Sequence, residues 1–210
     1  MSTAPTHLDA VILTGGRGER LGGATKATLL IGGEELVVRA LRSARSIGAR
    51  RCVVVGEASA CVDAPVVREE PIFGGPAAGL AAGLQHLAAA PVGDWVLTLA
   101  VDLVDHDAVT ATLQAALPVP PEHDGVILRA PDGYRQWLAA IYSHAYLSQA
   151  IAALDTPSGT SMHRLLAQAR LLEVDAPEPV TADIDTWDDL VRYTDGEEGH
   201  ERPTSDPALD

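Results

Sequence analysis

Short apolar, β-branched runs alternate with alanine-rich and leucine-rich amphipathic segments along most of this chain. Continuous apolar runs are typical of strands buried on both faces, and period-3.6 segments are typical of helices. In chain order the pattern predicts strand 10–13, helix 36–47, strand 52–55, helix 77–87, strand 95–99, helix 108–117 and strand 126–128. This βαβα order predicts an α/β fold in which helices cover a parallel sheet.

The pattern becomes less regular after the last of these strands. It predicts an antiparallel strand at 136–142, helices at 145–154 and 162–166, and a strand at 171–174. From Asp195 onward the chain is rich in acidic residues and has no apolar period. We therefore expect a single domain over residues 1–194 and a disordered acidic tail over 195–210.

A glycine-rich loop follows the first strand and carries two arginines. The segment is Leu13-Thr14-Gly15-Gly16-Arg17-Gly18-Glu19-Arg20-Leu21-Gly22-Gly23, and Lys26 comes soon after it. Glycine has no Cβ, so such a loop can turn its backbone N–H groups toward an anion while Arg20 and Lys26 supply positive charge. The loop therefore predicts a site for a nucleotide triphosphate.

Two familiar glycine loops do not fit this segment. A P-loop ends in Gly-Lys-Ser/Thr, but Lys26 lies between Thr25 and Ala27. A dinucleotide fingerprint needs a third glycine where Leu21 stands. The remaining alternative from spacing alone is a flexible surface loop.

The charge of the chain limits its partners. The formal net charge is −14 over 210 residues, which argues against nucleic acid or an anionic membrane as the main partner. Three of the 15 lysines and arginines, however, lie at Arg17, Arg20 and Lys26. A local cationic pocket is therefore expected there. Since no membrane span or signal peptide is evident, we expect a cytoplasmic protein.

Carboxylates provide candidate metal ligands at two places. Asp102 closely follows strand 95–99, at the sheet edge where the glycine loop should also lie. Mg²⁺ on a nucleotide would be its natural partner, and capping of the next helix is the alternative role. Asp183 and Asp185 would point the same way from an extended segment. Thr186 and Asp189 after them fit a capping box.

A glycine-proline loop joins residue 68 to the helix at 77–87. With Glu70, Gly75 and Pro76 it could press backbone against a base or ribose, or be a plain tight connection. The histidines show no ligand spacing. We expect five of them at the surface: His86, His106, His123, His144 and His163.

Together these motifs resemble those of the nucleotidyltransferases that complete the molybdenum cofactor, especially the guanylyltransferases of molybdopterin-guanine dinucleotide synthesis. The resemblance covers residues 9–193. Four family motifs are matched in order: Leu13-Thr14-Gly15-Gly16 with Arg20-Leu21-Gly22 and Lys26; Glu70 with Gly75-Pro76; the metal-site Asp at Asp102; and Asp183-Ile184-Asp185-Thr186.

The resemblance implies a three-layer, Rossmann-like, GT-A-like nucleotidyltransferase fold with a mainly parallel sheet. It also implies Mg²⁺-dependent transfer of GMP from GTP to molybdopterin or the molybdenum cofactor, with release of pyrophosphate. Transient contact with other cofactor-maturation proteins would follow. The implied catalytic residues are Arg20, Lys26 and Asp102, and the implied metal ligands are Asp102 with Asp183 or Asp185. The implied nucleotide-binding residues are Leu13, Thr14, Gly15, Gly16, Arg17, Gly18, Lys26, Glu70, Gly75 and Asp102.

Three positions depart from the family pattern. Thr25 stands where the family has Asp, and Val104 and Trp137 each replace a proline. Gly15 leaves more room than the alanine of related cytidylyltransferases and favours GTP, whereas the Asp-x-Asp-Thr sequence is common in the cytidylyl branch. The alternatives are a cytidylyltransferase, a nucleotidyltransferase for another phosphorylated acceptor, and a nucleotide-binding module without turnover.

Overall fold

A computed structural model describes residues 7–15, 26–58, 62–89, 93–176, 184 and 186–194. A turn of 3-10 helix, Lys26–Thr28, precedes the first α-helix. The strands are β1 (Leu8–Leu13), β2 (Leu30–Ile31), β3 (Glu34–Glu35), β4 (Ala49–Val55), β5 (Val66–Val67), β6 (Trp95–Ala100), β7 (Gly125–Arg129), β8 (Arg135–Ser143) and β9 (Leu171–Asp175). The helices are α1 (Leu36–Ser46), α2 (Pro76–Leu87), α3 (His106–Ala115), α4 (His144–Ala152), α5 (Met162–Leu165) and α6 (Trp187–Thr194).

Seven of the strands form one sheet in the order β5-β4-β1-β6-β8-β7-β9. Neighbours are parallel from β5 to β6 and again between β7 and β9. The long strand β8 runs antiparallel to both β6 and β7. The carboxyl ends of β1, β4 and β6 therefore meet at one edge of the sheet, where ligands bind in open α/β folds.

Helices cover both faces of this sheet and make it the middle of three layers. One core contains α1, α3 and α6, and the other contains α2, α4 and α5. Along β1, Ala10 and Ile12 face the first core, and Val11 and Leu13 face the second. Both faces of β1 are buried, which is why its sequence is continuously apolar.

The predicted α/β architecture is confirmed, including the antiparallel strand at β8. The sequence reasoning missed the short β2–β3 hairpin, although its signal is present. Gly32 and Gly33 both have positive φ, as a two-residue hairpin turn requires. The predicted acidic tail lies outside the described residues and stays a prediction.

None of the helices in the described part of the chain combines the length and the apolar character needed to cross a bilayer.

Candidate active site

Lys26 and Asp102 form an ion pair at the carboxyl edge of the sheet. The Lys26 Nζ donates to Oδ2 of Asp102 over 2.7 Å, although the two residues are 76 positions apart in sequence. Lys26 begins the 3-10 turn, and Asp102 follows the end of β6 by two residues. Their side chains are 13% and 24% exposed, so the pair is partly shielded yet open to a ligand. Two of the predicted catalytic residues therefore lie together.

Thr14 fixes the point where the glycine loop leaves the sheet. Its backbone N–H donates to the carbonyl of Val55 over 2.9 Å, and its Oγ1 donates to the same oxygen over 3.1 Å. The carbonyl of Leu13 accepts the N–H of Val101. These hydrogen bonds hold the residues just before the glycine loop to the end of β4 and to the segment that follows β6. A direct contact of Thr14 with nucleotide stays a prediction.

A cavity of about 340 Å³ opens beside the Lys26–Asp102 pair. Four predicted site residues line it: Leu13, Gly15, Gly75 and Asp102. The start of α2 also contributes, through Pro76 and Gly79. Three glycines in the lining leave backbone accessible, which suits a ligand that is read by N–H and C=O groups.

The loop before α2 forms the outer wall of this cavity. Gly75 has φ +90°, a conformation that side chains rarely adopt, and the Gly74 carbonyl accepts the N–H of Gly159. Glu69 lines the cavity, and its carboxylate accepts the backbone N–H of Phe73. Glu70, the residue that we predicted here, is exposed and lies outside the lining.

Several predicted site residues lie outside the described part of the chain: Gly16, Arg17, Gly18, Arg20, Asp183 and Asp185. Ile184, between the last two, is described and fully buried. Its N–H donates to the backbone carbonyl of Asp102 over 2.8 Å. The chain therefore passes directly beside Asp102 at the position of the second acidic motif.

The chemistry of Asp102 suits a hard divalent cation. Carboxylate oxygens are the ligands that Mg²⁺ prefers. Within the described residues Oδ2 of Asp102 accepts from Lys26, while no hydrogen bond reaches Oδ1. No group of three His, Cys, Asp or Glu side chains forms a metal site in that same part of the chain. Additional protein ligands would therefore have to come from outside the described residues.

His106 is not at the surface, which corrects the prediction for this residue. Its side chain is 1% exposed at the start of α3, and Nε2 lies 3.1 Å from the carbonyl of Ala100. Burial lowers the pKa of His106 from 6.5 to about 4, so the ring is neutral and Nε2 donates this bond. His123 and His144 are half-buried, while His86 and His163 are exposed as predicted.

Other residues cap the two nearby helices, and the capping box predicted at Thr186 and Asp189 is confirmed. Asp105 accepts the N–H of Ala108 at the start of α3. Thr186 and Asp189 exchange hydrogen bonds at the start of α6, as a capping box does. Asp102 is therefore not needed as a cap.

Some cavity residues escaped sequence reasoning because they are apolar and carry no motif. Val55, Phe73 and Leu138 line the cavity from three separate segments. Phe73 has φ +62°, which is unusual for a residue with a side chain, and is 61% exposed. No local pattern distinguishes such residues from ordinary core or loop positions.

The family match identifies the chain as a nucleotidyltransferase. Residues 10–174 match the family model of the MobA-like NTP transferase domain, and the chain belongs to this family. A probable molybdenum cofactor guanylyltransferase from Opitutus terrae is 32% identical over 195 residues, covering 89% of this chain and 93% of the relative.

Solved structures share the fold at lower identity. Molybdopterin-guanine dinucleotide biosynthesis protein A from Archaeoglobus fulgidus is 19% identical with a TM-score of 0.63, over 89% of this chain and 97% of that one. Rv0371C from Mycobacterium tuberculosis, solved in complex with manganese, is 22% identical with a TM-score of 0.63. That alignment covers 90% of this chain and 99% of the other.

Proposed function

We propose that this chain transfers GMP from GTP to the phosphate of molybdopterin or the molybdenum cofactor and releases pyrophosphate. The observation that carries the proposal is the Lys26–Asp102 pair at the mouth of a glycine-lined cavity. The name of the Opitutus terrae relative supports the choice of substrates.

In the proposed reaction an oxygen of the acceptor phosphate attacks the α-phosphorus of GTP. A phosphoanhydride bond forms as the bond to the β-phosphate breaks, and pyrophosphate leaves. The acceptor phosphate is itself the nucleophile, so no covalent enzyme intermediate is needed, and the barrier lies in alignment and charge. Lys26, already held within 2.7 Å of Asp102, would neutralise charge on the triphosphate. Arg20 would add a second cation.

Divalent metal fits this site, and we propose Mg²⁺. Asp102 would hold it, with Asp183 or Asp185 supplying a further carboxylate. The bound ion would neutralise phosphate charge as it develops in the transition state. The manganese complex of Rv0371C is consistent with a divalent ion in this fold.

The base of the nucleotide would lie in the cavity lined by Leu13, Gly15 and Gly75. No described residue would lie within 4 Å of an added Cβ at Gly15. A purine gains that room, which favours GTP over CTP. The backbone of residues 15–18 with Arg17 would bind the phosphates, and contacts from Thr14 and Glu70 belong to the same proposal.

The proposed setting is the cytoplasm, with small molecules as substrates. The net charge of −14 gives no basis for nucleic acid or anionic membrane as partner. Hand-over of the cofactor would require transient contact with other maturation proteins.

The test is pyrophosphate release with Mg²⁺ and molybdopterin or its molybdenum form, with GTP, CTP and ATP compared in parallel. We expect release with GTP alone. Release with CTP alone would contradict the base assignment. Nucleotide binding without release from any of the three would contradict the proposed reaction and favour another acceptor or a binding module.

A further inference from the structure

Phe73 combines two features that are unfavourable for the folded chain. Its backbone has φ +62°, and among the described residues it is the only non-glycine with positive φ. Its side chain is 61% exposed, so the ring gains little from burial. Backbone strain of this kind is costly and clusters at ligand-binding sites. Phe73 is therefore a candidate for a role in binding rather than in stability.

The turn that carries Phe73 is held by several hydrogen bonds. The N–H of Gly74 donates to the carbonyl of Pro71 over 3.0 Å and closes a β-turn with Phe73 at its third position. With positive φ, that position favours glycine or asparagine. The N–H of Phe73 donates to the Glu69 carboxylate, and the carbonyl of Gly74 accepts the N–H of Gly159 over 2.8 Å. These bonds fix the backbone from which the Phe73 ring projects.

Phe73 lines the first cavity, beside the Lys26–Asp102 pair. In the described lining it supplies the only aromatic ring, and the other large apolar side chains there are aliphatic: Leu13, Val55 and Leu138. Aromatic side chains stack on the flat faces of nucleobases, and this contact does not depend on hydrogen bonds to the base. A base that enters the cavity therefore has one aromatic surface available to it.

A second cavity, of about 370 Å³, lies beside the first, and Phe73 is not in its lining. The two cavities share four residues: Pro76, Ala100, Asp102 and Leu138. Trp137 and Leu138 lie on a bulge in β8, where residues 137–139 are extra relative to β7, and Trp137 lines the second cavity only. A contact made by Phe73 is therefore confined to the first cavity.

We propose that Phe73 is a specificity residue, which stacks on the base of the bound nucleoside triphosphate and favours a purine over a pyrimidine. The inference rests on the proposed function for the presence of a nucleotide in this cavity, and it adds the residue that contacts the face of the base. A purine covers more of the ring than a pyrimidine does, so the stack contributes more to the binding of GTP than of CTP. The strained turn is retained because it holds the ring at the cavity.

The test is calorimetric titration of GTP and CTP, with Mg²⁺, into the unmodified chain and into Phe73→Asn. Asparagine tolerates positive φ, so this substitution removes the ring without opposing the turn. We expect the Kd for GTP to rise about tenfold and the Kd for CTP to rise less, so that the preference for GTP becomes smaller. Phe73→Tyr, which keeps an aromatic ring, should retain most of the affinity for GTP.

Two controls separate stacking from a general effect on the loop. Ile72 is 55% exposed on the same turn and lines neither cavity, so Ile72→Asn should leave both Kd values unchanged. Inorganic tripolyphosphate has the phosphates but no base, and it should bind Phe73→Asn as tightly as it binds the unmodified chain. Phe73→Asn should also unfold at the same temperature as the unmodified chain or at a higher one, because asparagine relieves the strain.

The outcomes distinguish this inference from the proposed function. An unchanged Kd for GTP in Phe73→Asn, with turnover intact, would overturn the inference and leave the proposed function standing. Equal weakening of GTP and tripolyphosphate would also overturn it, because the ring would then act on the phosphates through the loop. A preference for purine nucleotides that depends on Phe73, without pyrophosphate release from any acceptor, would support the role of Phe73 while the proposed function failed.

Discussion

Two ion pairs lie at opposite ends of the strands of the same sheet, and they differ in burial and in the number of hydrogen bonds that each carboxylate accepts. At the amino end of β1, Asp9 is 3% exposed and accepts hydrogen bonds from Nε and Nη2 of Arg51 at 3.1 and 2.5 Å. The backbone N–H of Gly93 donates to the same carboxylate. At the carboxyl edge, Asp102 is 24% exposed and pairs with Lys26 through one oxygen.

The two carboxylates differ in whether they are available to a ligand. Both carboxylate oxygens of Asp9 accept hydrogen bonds, and Asp9 lines none of the cavities described above. Its negative charge is therefore balanced by Arg51 within the folded protein. Asp102 borders two cavities, and no hydrogen bond from a described residue reaches its Oδ1. We infer that the first pair serves stability and that the second is kept ready for substrate.

The largest effect is expected when the Lys26–Asp102 pair is broken. Lys26→Ala and Asp102→Ala should each lower pyrophosphate release about 10³-fold, because preorganised charges at the transferring phosphate are lost. The pair is partly exposed, so the unfolding midpoint should change little. Turnover and thermal unfolding should be measured on the same samples.

Asp175→Asn is the matched control, since it removes a carboxylate that is 77% exposed and paired with Arg129. We expect full activity from it. Full activity from Lys26→Ala and Asp102→Ala as well would refute the assigned roles.

Asp9→Asn should give the opposite result. Removal of one partner from a buried pair leaves Arg51 uncompensated, so the free energy of unfolding should fall by about 3 kcal/mol. The turnover number of the folded fraction should not change. Urea unfolding, followed by an assay below the transition, would check both expectations. A loss of turnover in fully folded Asp9→Asn would break the proposed separation of the two edges.

The buried His106, which contacts the carbonyl of Ala100 near Asp102, predicts a pH dependence of stability at the carboxyl edge. Burial lowers the pKa of His106 to about 4, while the unfolded chain takes up the proton near pH 6.5. The unfolded state therefore binds more protons between these values, and stability is lost as pH falls through this window. Between pH 7 and pH 5 the loss assigned to His106 is about 2 kcal/mol.

His106→Gln, which keeps a donor for the Ala100 carbonyl, should remove this part of the pH dependence. His86→Gln, at an exposed position, should not. Denaturant unfolding at the two pH values measures the difference. Identical pH slopes in the unmodified chain and His106→Gln would show that the ring is not buried as described.

The sequence predicted the strands and the Asp at the carboxyl edge of the sheet better than it predicted the residues that line the cavities there. Continuous apolar runs and glycine spacing are local signals, so β1, β6 and the position of Asp102 could be read directly. The walls depend on contacts between distant segments. Leu138 and Trp137 reach the cavities because of a bulge, and a lone histidine such as His106 has no local pattern that reports burial.

The smallest effect separates two glycines that both have positive φ. Gly75 has φ +90° and lines the cavity proposed for the nucleotide, whereas Gly48 has φ +95° and lies just before β4, at the amino edge. No described residue would lie within 4 Å of a Cβ at either position, so backbone strain is the expected cost of alanine at both. Each substitution to alanine should lower the free energy of unfolding by about 1–3 kcal/mol.

Only Gly75→Ala should also weaken GTP binding, by a few fold, because strain relief there shifts the backbone that lines the cavity. Calorimetric titration of GTP, together with thermal unfolding of both variants, separates the two effects. We expect the two variants to lose similar stability, and only Gly75→Ala to lose affinity for GTP. If Gly48→Ala weakened GTP binding as much as Gly75→Ala does, the two edges of the sheet would be coupled, and the assignment of one to stability and the other to chemistry would be wrong.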